Sequence, residues 1–236
     1  MKLPVARRWA APRPVAALAM LLAASAGHAA GMPDMVAEVL ALGPQDPEAR
    51  CGYVRVSIDS DGSETERYDP SNPERPWELV AVDGEPPSER QLANYRSDAD
   101  DRRDRQHPLD FDLRSMVDPN GWSLRSESAT EAAFGFRLRP NEDLRERVID
   151  KVRGTLLVGK DPLRPVRITI ENTEPAYVAP FVRIVEYFQE LRFRWDDELE
   201  GPVLAEIETR RRGRALLVKS LDKDKTVYYD EYHCAG

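Results

Sequence analysis

Two-residue alternation dominates the C-terminal half of the chain, and no other feature restricts its fold as tightly. From Gly121 onward apolar and polar residues take turns, and turn formers interrupt them at short intervals, as half-buried strands require. Val166, Ile168 and Ile170 share one face of a strand over Arg164 to Asn172. Val185, Tyr187, Leu191, Phe193 and Trp195 share one face of a longer strand over Phe181 to Trp195, while Glu186, Glu190, Arg192 and Arg194 alternate with them. Further strands are expected at Trp122 to Ser128, Ala132 to Leu138, Val152 to Val158, Pro202 to Arg212, Arg214 to Leu221 and Thr226 to Tyr232. Turn residues such as Asp161-Pro162, Arg212-Gly213 and Asp222 to Lys225 separate them, which describes a meander of antiparallel strands.

The N-terminal half adds a helix over Asp34 to Leu42, with Asp34 as cap and Gly43-Pro44 as stop. A hairpin follows, in which Tyr53, Arg55 and Ser57 alternate with Val54, Val56 and Ile58 before the turn Asp59-Ser60-Asp61-Gly62. Trp77 to Val82 reads as a strand, Pro87-Ser88 opens a helix to about Arg96, and Phe111, Leu113, Met116 and Val117 supply one more helical turn. Ser97 to Arg105 is a mixed-charge run with no apolar face and is expected to be a mobile loop. The fold class is therefore mainly β, of α+β type. A sheet of about ten or eleven strands twists too strongly to stay flat, so it should curve into a half-barrel with the short helices covering its concave face.

The first thirty residues carry Lys2, Arg7, Arg8 and Arg13, then an apolar run from Val15 to Ala24, then small residues to Ala30. That layout is a secretory signal peptide over residues 1–29, cut near Ala29/Ala30, and its apolar run is shorter than the roughly 20 residues a membrane span needs. Residues 30–236 then form a single periplasmic domain. The formal net charge is −8 and becomes more negative when the basic leader departs, which argues against nucleic acid as a partner. Of the two cysteines, Cys51 and Cys234, neither lies in a Cys-x-x-Cys pair, and an oxidising compartment favours a disulfide between them.

Catalytic sets are sparse. His107 and His233 have no nucleophile or acid at a telling spacing, and no phosphate loop, Gly-x-Ser-x-Gly elbow or His-Glu-x-x-His pair occurs. Asp59-Ser60-Asp61-Gly62 opens like a calcium loop but lacks the later ligands, and Asp98, Asp100, Asp101 and Asp104 are interleaved with arginines, so neither a metal nor a cofactor is expected. Arg210, Arg212 and Arg214 fall on a presumed hairpin tip, where they would meet a lipid headgroup or an acidic partner.

The Asp34 to Leu42 helix, the strands Gly154 to Val158 and Val166 to Ile170, the long strand Phe181 to Trp195 and the segment Gly213 to Leu221 resemble the lipoprotein-localisation carrier superfamily. That resemblance implies an open antiparallel barrel lidded by helices that carries lipid-linked cargo in the periplasm. The block from Trp77 to Pro87, the charged loop and the cysteine pair depart from it. The expected function is a non-enzymatic periplasmic binding protein for a hydrophobic ligand, a lipid acyl chain or a lipidated protein. Its lining would be Val166, Ile168, Ile170, Val185, Tyr187, Leu191, Phe193 and Trp195. The alternative is an envelope interaction or regulatory protein that uses the same fold as a platform for another envelope protein.

Overall fold

The computed structural model describes residues 32–42, 51–97, 113–139, 146–216 and 219–234. The expected leader over 1–29 and the charged run beyond Ser97 lie outside them, as do His107, Phe111 and the Gly43-Pro44 stop.

Alternation becomes one antiparallel sheet. Its strands are β1 (Cys51–Asp59), β2 (Gly62–Tyr68), β3 (Trp77–Val82), β4 (Ser123–Glu127), β5 (Glu131–Phe136) and β6 (Val152–Lys160). They continue with β7 (Leu163–Asn172), β8 (Ala176–Ala179), β9 (Val182–Asp196), β10 (Gly201–Ala215), β11 (Lys219–Ser220) and β12 (Lys223–Cys234). The order is β3-β2-β1-β12-β10-β9-β7-β6-β5-β4, with β8 beside β9 and β11 beside β10, so β3 and β4 are edges and the sheet is not closed. The meander β4 to β12 thus meets the N-terminal meander β1 to β3 at the β1/β12 seam. Cys51 lies opposite Cys234 in that seam, and the two form a disulfide. In the chain-entropy picture, cross-linking so distant a pair stabilises the fold by about 5 kcal/mol.

The short helices are α1 (Asp34–Val39), α2 (Glu89–Ser97), α3 (Leu113–Met116) and α4 (Glu146–Ile149). At α2 the backbone N–H and hydroxyl of Ser88 donate to Gln91 Oε1 at 2.8 and 2.6 Å, and Gln91 N–H donates back to Ser88 Oγ at 3.4 Å, a reciprocal cap that fixes where the helix starts. Asp34 proves to be the first residue of α1 rather than its cap: Pro33 holds the cap position without a side-chain bond.

One row of side chains crosses most of the sheet. Phe134, Leu156, Ile168, Leu191, Ile207, Val227 and Ser57 stand opposite one another in successive pairs from β5 to β1. The buried members of this row join Phe136, Val158 and Ile170 in a core that also takes in Val36 and Val39 of α1, Leu113 of α3, Val117 and Val148 of α4. The helices therefore lie on the apolar face that the sequence pattern marks.

Two expectations are corrected. Arg212-Gly213 is not a turn: β10 runs unbroken through it, with Gly213 buried opposite Ile184. A side chain at Gly213 would come within 2.7 Å of Arg183 O, so the glycine serves close strand approach rather than reversal. The short strand β8, between the expected connection ending at Pro175 and the expected strand beginning at Phe181, is an addition to the expected set.

Candidate functional site

The expected lining splits three ways. Ile168, Ile170 and Leu191 are fully buried in the core under α1 and α3, and Tyr187 and Phe193 pack against the same cluster half-buried. Val166 and Trp195 are also half-buried. Val185 is 48% exposed, because a register shift in β9 sets it between Ile184, which faces Gly213, and Glu186, which faces Arg212. The helices hold their place by more than burial, since Arg114 Nη2 of α3 donates to Ala37 O of α1 at 2.9 Å. Most apolar residues of this face between β5 and β10 are buried in one cluster with α1 and α3, and Tyr187 and Phe193 stay half-buried at its margin.

The same face changes character at the β1/β12 seam. Glu66 of β2 is completely buried and pairs with Arg55, its direct neighbour on β1, while Tyr95 of α2 donates its hydroxyl to Glu66 Oε1 at 3.0 Å. A buried carboxylate is tolerable only with such partners. Next to it Tyr53 stacks on Tyr68 at 5.2 Å between centroids and meets Trp77, Tyr229 and Tyr232 within 5.8 Å. Burial drives the Tyr53 and Tyr232 hydroxyls far above their ordinary range, and the Tyr232 hydroxyl donates to Leu204 O at 2.7 Å. So on β1 it is Tyr53, Arg55 and Ser57 that turn inward, whereas Val54, Val56 and Ile58 face outward and are partly or largely exposed.

The outer face carries a charge ladder. Arg192 donates to both carboxylate oxygens of Glu206 at 2.9 Å and through Nε to Glu190 at 2.8 Å; these bonds raise its pKa. Arg212 donates to both oxygens of Asp224 at 2.6 and 2.7 Å, which holds Asp224 below the usual carboxylate range. Arg210 lies 4.1 Å over the Phe188 ring and 3.3 Å from Glu208. All three arginines expected at a hairpin tip are therefore residues of β10; Arg210 and Arg212 are engaged within the chain, and Arg214 is exposed.

His233 is exposed, with Nδ1 3.1 Å from Glu231 O, and the described residues contain no group of three or more His, Cys, Asp or Glu placed to hold a metal. The Asp59 to Gly62 segment is a tight turn: Asp61 N–H donates to Asp59 Oδ1 at 2.9 Å and Asp59 pairs with Gly62. Sequence reasoning passed over the buried Glu66 and Tyr95, although a Tyr and a Glu on a helix and a strand with otherwise apolar demands are a weak signal for a satisfied pair. It also passed over the exposed apolar ends of β8, β9 and β10.

These features define a class by architecture: an open antiparallel sheet with helices packed on one face and an ion-paired outer face. Comparison with protein-family models, with curated proteins and with solved structures found no significant match.

Proposed function

We propose that this chain is a non-enzymatic protein of the bacterial envelope that uses a curved, half-barrel sheet as a rigid platform for a partner. The observation that carries this reading is the packing of the helix-covered face. Val36, Val39, Leu113 and Val117 fill the space above Phe134, Leu156 and Ile168, while large apolar side chains remain exposed elsewhere. Export is supported by the basic, apolar and small-residue order of the leader, and the Cys51–Cys234 disulfide is compatible with an oxidising compartment. The absence of a nucleophile and base at workable spacing in the sequence favours binding over catalysis. Capture on immobilised protein from an envelope extract should recover a partner in equimolar amount, without lipid bound to the chain.

A second reading keeps the hydrophobic ligand on the concave face. It is favoured by the brevity of the cover, since α1 has six residues and buries only Val36 and Val39. Here an acyl chain would displace α1 and α3 and lie along Ile168, Ile170, Leu191 and Phe193, in the manner of a lipid carrier. Lipid in equimolar amount on the captured chain, with no protein partner, would favour this reading over the first.

A further inference from the structure

The three most exposed large apolar side chains among the described residues stand at one end of the sheet: Phe181 at 70%, Leu216 at 67% and Tyr177 at 66%. Val178 and Val185, also exposed, lie in the same strand ends. This end is an outgrowth of four strands, β8-β9-β10-β11, in which Tyr177 faces Arg183, Arg183 faces Arg214 and Arg214 faces Ser220. Leu216 N–H donates to Phe181 O at 2.9 Å, so the two apolar tips sit side by side.

Folding alone gives no reason for this arrangement. Phe181 and Leu216 adopt φ of 64° and 50°, a left-handed backbone that bulky residues adopt at a cost. Arg183 and Arg214 are like charges directly opposite across a strand pair, an unfavourable placement. Both are exposed, and neither is ion-paired to a described residue. Asp222, the carboxylate that senses Arg214, is already hydrogen-bonded by Gly213 N–H at 3.0 Å. Lys219, opposite Ala215, adds a further exposed cation in a protein of net charge −8.

Exposed aromatic and aliphatic side chains flanked by two arginines that pair with no described residue match a lipid bilayer surface with anionic headgroups. The apolar tips would enter the interfacial region while the guanidinium groups meet phosphates, each basic residue adding attraction to a negative leaflet. We propose that the Tyr177, Phe181 and Leu216 end, with Arg183 and Arg214, docks the protein on an anionic membrane surface. This rests on the platform reading and extends it: the platform would meet its protein partner while seated on a membrane.

The test is co-sedimentation of the full processed chain with vesicles of phosphatidylethanolamine and phosphatidylglycerol, against vesicles of phosphatidylcholine alone. Wild type should prefer the anionic vesicles and lose that preference in high salt. The double variant Phe181→Asn, Leu216→Asn should keep or raise its melting temperature, because Asn suits positive φ, yet lose vesicle binding about tenfold or more. Arg183→Gln with Arg214→Gln should abolish the preference for phosphatidylglycerol. Equal binding to both vesicle types, or unaltered binding by the Asn variant, overturns the proposal; so does concentration-dependent dimerisation that the Asn variant abolishes, which would assign this end to a second copy. Vesicle binding that fails while a protein partner is still captured removes the membrane docking and leaves the platform standing.

Discussion

Glu66 stands where a sheet of this kind ordinarily places a valine, and its burial is made tolerable by Arg55 beside it and Tyr95 above it. Removing one member of such a set leaves a buried uncompensated charge. Glu66→Leu should therefore lower unfolding free energy by about 3–5 kcal/mol in urea titration, whereas Arg55→Met combined with Glu66→Leu should recover most of that loss. A second expectation concerns Tyr53 and Tyr232. Their folded-state pKa values are raised, so their contribution to stability is complete below the ordinary tyrosine value and falls as pH rises beyond it. Denaturant midpoints should hold steady to about pH 10 and then decline, and absorbance near the phenolate band should show these two rings ionising only on unfolding.

At the scale of elements, most strands were legible because one face is buried and the other is wet, β4 and β11, exposed throughout, being exceptions. Val166, Ile168 and Ile170 announce β7, and Leu191, Phe193 and Trp195 announce β9, by period alone. Two local signals misled. Gly213 looks like a turn because glycine usually reverses a chain, yet here it lets β9 approach β10 at a bulge; period-two reasoning then places Val185 with the core, which the same bulge prevents. The inner face of β1 was not legible, because Tyr53, Arg55 and Ser57 are more polar than the Val54, Val56 and Ile58 that face outward, and only the pairing with Glu66 and the tyrosine cluster explains the inversion. Gly154 offers a direct probe of the sheet on β6. It lies opposite Phe136, whose buried ring covers it, and a methyl there would overlap the ring. Gly154→Ala should cost about 1–3 kcal/mol by thermal or urea unfolding, while the same change at Gly84, where the space is open, should act only through its φ of 79°.

For the whole molecule, the functional site was the part least visible in sequence. Alternation reports that a face is apolar but not whether helices or a ligand cover it; that depends on how α1 and α3, distant in sequence, come to lie above β5 to β9. The arginines were visible as a cluster, but Asp224, which binds Arg212, and Phe188, which lies under Arg210, come from strand register, and that separates these two arginines from Arg214, which is ion-paired to no described residue. On the proposed reading the chain fills its own apolar face and meets its partner from outside. Native mass spectrometry of protein purified without detergent tests it most directly. The predicted result is the mass of the oxidised chain alone, with no lipid adduct; a single species heavier by the mass of a lipid, released on extraction into organic solvent, would contradict it.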